Sequence, residues 1–240
     1  MNKYETLLKW IKESNNIVFF GGAGVSTESG IKDFRSKDGL YNMKYIYSPE
    51  EILSHHFFIN NTSEFYRFYK DKLNCLDKSP NICHKYLTKL ENLGKLKAII
   101  TQNIDGLHEK AGSKNIYNLH GTIYQNECMK CHKQYTEEDI FIKNKTKCTC
   151  GGLIKPNVVL YEEPLDESII DSSISAISNA ELLLVTGTSL TVYPASSFIR
   201  YFQGKHLVII NKDTTPLDNL ADLIINDNIK DVFEYLNINT

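Results

Sequence analysis

Ile17-Val18-Phe19-Phe20-Gly21-Gly22-Ala23-Gly24-Val25-Ser26-Thr27, continuing through Ser29-Gly30-Ile31-Lys32-Asp33-Phe34-Arg35, is the stretch on which the fold of this chain turns. Ile17 to Phe20 is short, β-branched and aromatic, which predicts a buried parallel strand. The glycines that follow let backbone N–H groups approach a phosphate at a helix start, so a dinucleotide site is the first hypothesis. The dehydrogenase fingerprint asks for a third glycine three residues after the second, and Thr27 stands there. No acidic residue after a second strand stands at the distance needed to hold an adenosine ribose. The loop is therefore of nucleotide type but not of hydride-transfer type. Taken alone, such a glycine pair also serves as a tight strand-to-helix turn.

Working outward, 240 residues allow one large domain with a substantial core, or a large domain carrying a smaller insert. A net charge of −2 and a pI near 6.4 give no global basic field for nucleic acid or an anionic membrane. The opening Met1-Asn2-Lys3-Tyr4-Glu5 runs into an amphipathic stretch with Leu7, Leu8 and Ile11, too short and too charged for a signal peptide, and no apolar run reaches membrane-spanning length. The expectation is a cytoplasmic protein with no membrane partner.

Cys128 and Cys131 form a C-x-x-C pair and Cys148 and Cys150 a C-x-C pair, separated by the length of a small ribbon that folds back on itself. This spacing predicts a structural zinc held by four thiolates, with no position left for water. Two disulfides are the competing reading; a reducing compartment and two further cysteines, Cys75 and Cys83, argue against them. His132 could also replace one sulfur.

Strands are expected at Ile17 to Phe20, Ala98 to Thr101, Leu182 to Thr186, Leu207 to Asn211 and Leu223 to Ile225, and helices around Tyr4 to Glu13, Ile82 to Glu91, Ile169 to Ser178 and Ala195 to Phe202. The alternation predicts an α/β fold built on a doubly wound, Rossmann-like parallel sheet. The aromatic-rich stretch 36–80 reads as a helical insert, and 122–156 as the zinc ribbon. These two would pack together as a smaller domain, leaving 1–35, 81–121 and 157–240 as the nucleotide-binding domain. Four polar clusters stand at expected strand ends: Gly22 to Thr27, Thr101 to His108, Gly187 to Ser189, and Asn211. One crevice would collect them.

Thr101-Gln102-Asn103-Ile104-Asp105-Gly106-Leu107-His108 and Asn118-Leu119-His120-Gly121 add two further motifs. With the glycine loop, Gly187-Thr188-Ser189-Leu190-Thr191-Val192-Tyr193-Pro194 and the cysteine ribbon, they make the chain resemble the sirtuin family of NAD-dependent protein deacylases. The resemblance runs through five motifs, in order, over nearly the whole chain.

The resemblance implies a reaction in which the acyl-lysine amide oxygen attacks the nicotinamide ribose carbon, nicotinamide leaves, and the acetyl group ends on ADP-ribose. The enzyme would thus be an acyl transferase that is also classed as a hydrolase. His120 matches the family's catalytic histidine, and an imidazole titrates near the working pH. By the same match Asn103 would orient a water or the ribose, and Gln102 would bind ribose hydroxyls near His120. Asn103, Ile104 and Asp105 would line the nicotinamide pocket, Asp105 accepting from the carboxamide. In isolation, Asn103 and Asp105 also read as an Asx turn ending a strand. Ile31 and Phe34 would shield the reactive carbon. Ala23, Gly24 and Thr27 would approach the phosphates, with Arg35 reaching the pyrophosphate or bracing the loop. Gly187, Thr188, Ser189, Asn211, Lys212, Asn228 and Ile229 match positions that cradle the adenosine half. His84 and His108 read as structural.

Acetylated protein would enter as an extended peptide between walls formed by Val158-Val159-Leu160-Tyr161 and by the stretch around Val192. Family members that take acidic acyl groups carry a tyrosine and, three residues on, an arginine. Here Tyr69 occupies the arginine's place, with Arg67 and Lys70 nearby, so a neutral short acyl group is expected. Two positions depart from the family pattern: Lys32 stands where proline is usual, and Glu162 where glycine is usual. The second places a side chain where the backbone favours unusual dihedrals, with weaker peptide binding or a shift toward basic peptides as its consequence. The rival functions are a mono-ADP-ribosyltransferase, a deacylase of other short acyl groups, an NAD oxidoreductase, and a non-enzymatic binding module built on the ribbon. Direct nucleic-acid binding by the ribbon is not expected, because its lysines are interspersed with Glu127, Glu137, Glu138 and Asp139.

Overall fold

The computed structural model describes residues 2–33 and 46–240. In chain order the strands are β1 (Ile17–Gly21), β2 (Leu96–Thr101), β3 (Ile116–Asn118), β4 (Gly121–Cys128), β5 (Gln134–Thr136), β6 (Ile154–Val158), β7 (Leu182–Thr186), β8 (His206–Ile210) and β9 (Leu223–Ile225). The α-helices are α1 (Lys3–Glu13), α2 (Pro49–Ile52), α3 (His55–Asn60), α4 (Thr62–Lys72), α5 (Ile82–Asn92), α6 (Leu107–Ala111), α7 (Glu137–Phe141), α8 (Glu167–Asn179) and α9 (Ile229–Asn239). All five expected strands form, each within two residues of its predicted bounds.

The main sheet has six parallel strands in the order β3-β2-β1-β7-β8-β9. Every residue of β1 and β7 is buried, which is why both read as uninterrupted apolar runs: helices cover the two faces and leave no polar side. One face packs Phe19, Ile99, Leu184 and Val208 against α1, α5 and α9; the other packs Phe20, Ile100, Val185 and Ile209 against residues of α8 and of the 3-10 turn Ala195–Tyr201.

Helix α9 has no counterpart among the predicted helices. Asn237 and Asn239 and the β-branched Ile229 and Val232 depress its intrinsic propensity, but Val232, Phe233 and Leu236 are fully buried and their packing holds it. Strand β3 was also not foreseen, being a three-residue edge strand with half-buried side chains. The segment expected as a helix around Ala195 to Phe202 is a 3-10 turn, and the glycine loop likewise opens a 3-10 turn, Ala23–Ser29, rather than an α-helix.

A separate three-stranded antiparallel sheet, β5-β4-β6, carries the cysteines. A second core joins it to the helical stretch: Phe57, Phe58, Phe65, Tyr66, Phe68 and Tyr69 bury themselves with Ile123, Tyr135, Ile140, Ile154 and Leu160. Tyr66 Oη donates to the Ile154 carbonyl across this junction. No helix among the described residues is long and apolar enough to cross a membrane.

Candidate active site

The strand order reverses between β1 and β7, the place where an open parallel sheet leaves room for a ligand beyond its carboxyl ends. The two loops at that point are in backbone contact. Gly24 N–H donates to the Gly187 carbonyl at 2.8 Å, and a Cβ added at Gly24 would lie 2.8 Å from the Gly187 Cα. At Gly187, with φ +63, a Cβ would lie 2.5 Å from the Val25 nitrogen. Only glycine at both positions permits this approach. A third loop is tied in by Gln102 Nε2, which donates to Thr188 Oγ1 at 3.1 Å. The fourth joins through Asn211, whose Oδ1 accepts from Thr188 N–H (3.1 Å) and whose Nδ2 donates to the Thr188 carbonyl (2.6 Å). The four polar clusters read from the sequence therefore converge.

Beside them runs a buried polar chain. Ser26 Oγ donates to Asp105 Oδ2 at 2.6 Å, and Asn103 Nδ2 donates to Ser26 Oγ at 3.1 Å. The other Asp105 oxygen accepts from Leu107 N–H at 2.9 Å, so the Asx turn is present as well. Burial raises the Asp105 carboxyl above its usual range, against the opposing pull of the Ser26 and Leu107 bonds. His120 Nδ1 lies 2.9 Å from the Gln102 carbonyl, which can only accept; Nδ1 must carry the proton, leaving Nε2 as the basic nitrogen. Burial lowers the His120 pKa from 6.5, while the bond to Gln102 opposes the shift. Ile31 and Ile104 are half-buried against the second core, placing both at the junction between that core and the loops.

Other predicted residues take different positions. Ala23 opens the 3-10 turn, half-buried. Thr27 Oγ1 donates to the Gly24 carbonyl, and Ser189 Oγ meets Thr191 Oγ1. Lys212 is exposed. Asn228 caps α9 by accepting from Lys230 N–H, and Ile229 is the first residue of that helix. Phe34 and Arg35 lie outside the described residues. Two residues belong here that were not singled out from the sequence. Ser26 is the link between Asn103 and Asp105. Asn81 caps α5 and donates from Nδ2 to the Val25 carbonyl and to Ser29 Oγ, bracing the glycine loop. An asparagine directly ahead of a predicted helix was the available signal for Asn81; Ser26 left none. His84 completes the cap by accepting from Asn81 N–H, and burial takes its pKa down to about 4. His108 packs edge-on to Phe19 and beside the His84 ring, and both histidines are buried, as their structural reading requires.

Val158 ends β6 and pairs with Gly121, and Val159 N–H donates to the His120 carbonyl at 2.9 Å. Leu160 is buried, and Tyr161 is exposed and paired to the α2–α3 connection through its main chain. Val192 is half-buried and precedes the exposed Tyr193. Glu162, at the position flagged as unusual, has φ +75. On α4, Tyr69 is fully buried, Arg67 pairs with Glu64, and Lys70 donates to Asn144 Oδ1.

The Sγ atoms of Cys128, Cys131, Cys148 and Cys150 all lie within 4.8 Å of one another. The Cys128–Cys150 and Cys131–Cys148 separations are 3.5 and 3.6 Å. Sulfurs around a tetrahedral zinc with bonds of about 2.3 Å stand about 3.8 Å apart, so the four thiolates fit zinc and the spacing is far from a disulfide bond. His132, with φ 58, turns its Nδ1 onto Glu127 and is not among the grouped ligands. Its replacement of a sulfur is thereby corrected: the knuckle turn that follows Cys131 carries the ring away.

The fold and site define a dinucleotide-binding α/β protein with a structural four-thiolate metal module. The Sir2 family model matches residues 22–194, and the chain belongs to that family. It is 56% identical over 240 residues to the NAD-dependent protein deacetylase of Clostridium acetobutylicum, covering 98% of each chain. To the NAD-dependent protein deacetylase of Clostridium perfringens it is 56% identical over 233 residues, covering 95% of this chain and 96% of the relative. Among solved structures, one of Sir2 with a deacetylated p53 peptide and 3'-O-acetyl-ADP-ribose superposes with a TM-score of 0.91 at 37% identity, over 99% of this chain and 98% of the other. Another, Sir2 with p53 peptide and NAD, gives a TM-score of 0.86 at 38% identity, over 99% and 97%.

Proposed function

We propose that this protein is an NAD-dependent protein-lysine deacetylase that releases nicotinamide and O-acetyl-ADP-ribose and acts in the cytoplasm on acetylated proteins bound as extended peptides. The observation that carries the reading is His120: a neutral imidazole, its tautomer set by Gln102, adjoining loops that meet at the reversal of strand order. NAD, when bound, supplies an electrophilic ribose carbon and a nicotinamide leaving group. The chain's own residues do the rest. Gly24 and Gly187 hold the two loops in backbone contact and would receive the pyrophosphate, and Asn211 fixes Thr188, which would hold the adenosine half. Ser26 and Asn103 hold Asp105 to read the carboxamide, and Ile31 and Ile104 exclude water from the reacting face. His120 Nε2 takes the proton from a ribose hydroxyl.

The same reading divides the chain into a nucleotide-binding domain, 1–35, 81–121 and 157–240, and a small domain from 36–80 and 122–156. It is supported by the second core, which draws on both inserts. A neutral acyl group is favoured because Tyr69 is buried while Arg67 and Lys70 have partners at the surface.

The test is incubation with NAD and acetyl-, propionyl- and succinyl-lysine peptides, following nicotinamide and peptide by mass. Equal release of nicotinamide and deacetylated peptide is expected, with acetyl preferred and succinyl poor. Nicotinamide release with ribosylated protein and intact acetyl-lysine would instead identify a transferase.

The titration of His120 sets the pH dependence. The base must be neutral, and burial places its pKa below 6.5, so activity is present above that pKa and lost as pH falls through it. The expected kcat/KM profile is level across pH 7–8, with an acid limb whose midpoint lies below 6.5. A midpoint above 6.5 contradicts the assignment.

A further inference from the structure

Glu162 is a non-glycine residue in the left-handed region, in the loop that continues the strand proposed to pair with the peptide. Left to itself, an L residue with φ +75 relaxes toward extended backbone. A turn bond, in which Glu163 N–H donates to the Leu160 carbonyl at 3.0 Å, sets that conformation in the main chain, and the Glu162 side chain adds a tie that holds the turn against the helical insert. Glu162 Oε2 accepts from His56 N–H at 3.0 Å, and Oε1 lies 2.7 Å from His56 Nδ1, so one carboxylate clasps both the main chain and the ring of a residue 106 positions away. Next to it, Glu163 accepts from Leu160 N–H (2.9 Å), from Lys155 Nζ (2.9 Å) and from His55 Nδ1 (2.8 Å). The main chain is stapled at the same point: Tyr161 N–H donates to the Leu53 carbonyl and His55 N–H donates to the Tyr161 carbonyl.

We propose that His56, acting through Glu162, is a positioning residue for the peptide-binding strand: the clasp holds the end of Val158–Tyr161 in the conformation that receives the substrate main chain. The inference rests on the peptide-strand reading above and extends it to residues on the helical insert. Both clasp side chains are about half exposed (57% for His56 and 49% for Glu162), so the pair contributes little to global stability and its loss acts locally. Val159 N–H stays on the His120 carbonyl, upstream of the clasp, so the base keeps its place when the clasp opens. The signature is therefore in peptide affinity and not in turnover.

The experiment measures peptide KM, NAD KM and kcat for the wild type, His56→Ala, Glu162→Gly and the double variant, with hydrogen exchange over residues 158–163 for each. His56→Ala should raise peptide KM about five- to tenfold, leave kcat and NAD KM within twofold, and speed exchange in that segment. Glu162→Gly removes the cost of the left-handed backbone along with the need for the clasp. Its peptide KM should stay within twofold of wild type, and adding His56→Ala to it should change KM less than twofold. An equal KM effect of His56→Ala in both backgrounds overturns the proposal. So does a fall in kcat at constant KM, or unchanged exchange in His56→Ala. If the wild type deacetylates no peptide, the functional reading fails on its own, and the exchange data still decide whether the clasp holds the strand.

Discussion

His120→Ala is expected to lower kcat for deacetylation by about 10²- to 10⁴-fold, the range that a positioned general base contributes. Three features make the effect large. The ring is tied by one bond, from Nδ1 to the Gln102 carbonyl, which leaves a single nitrogen as acceptor and fixes its direction. Burial keeps it neutral, so little base is lost to protonation at working pH. The polar side chains nearest in the converging loops are already committed to one another: Asp105 to Ser26, Asn103 to Ser26, Gln102 to Thr188 and Asn211 to Thr188. NAD affinity should change little, because the imidazole does not hold the loops together; Asn211, Gln102 and the glycine contact do that. The check pairs steady-state kinetics with NAD binding by calorimetry. A loss of kcat below tenfold would show that another group takes the proton.

Removal of zinc should be the most damaging change to stability. Structural zinc bound by four thiolates contributes about 10–16 kcal/mol of apparent binding free energy in isolated fingers, and that free energy is folding free energy where no site exists without the metal. In this protein the loss would not stay in the ribbon. Cys128 and Cys148 are buried in the same core as Phe65, Tyr66 and Tyr69, and Tyr66 bonds the backbone of β6. Chelation, or Cys148→Ser, is therefore expected to release one zinc per chain, expose the aromatic residues of α4, lower the melting temperature and abolish deacetylation. Zinc content by mass spectrometry, near-ultraviolet circular dichroism and recovery on adding zinc provide the measurements. A protein that keeps its melting temperature after losing metal, or loses it only with reductant, would contradict the zinc reading and favour disulfides.

The sheet was legible in advance because buried parallel strands carry their signal locally. The apolar run from Ile17 to Phe20 and that from Leu182 to Thr186 each lie wholly inside the core. The metal site was legible for the same reason: two short cysteine spacings bring sulfur to a turn wherever the turn ends up. Helix α9 was not, because its asparagines mask an apolar stripe that is held chiefly by the packing of Val232, Phe233 and Leu236. Ser26 was hidden too; nothing in Val25-Ser26-Thr27 distinguishes a serine that faces a carboxylate 79 residues away from one that faces solvent.

The sequence by itself determined the class of fold, the metal-binding set and the motifs from which a nucleotide site is assembled, since each depends on residues within a few positions of one another. Tertiary structure alone decided how those motifs engage: that Gly24 lies against Gly187, that Asn211 clamps Thr188, that Gln102 sets the tautomer of His120, and that His56 clasps Glu162. The physical reason is that hydrogen bonding and close contact are set by distance in space, and a six-stranded sheet with a reversal in strand order brings together loops that no local pattern relates.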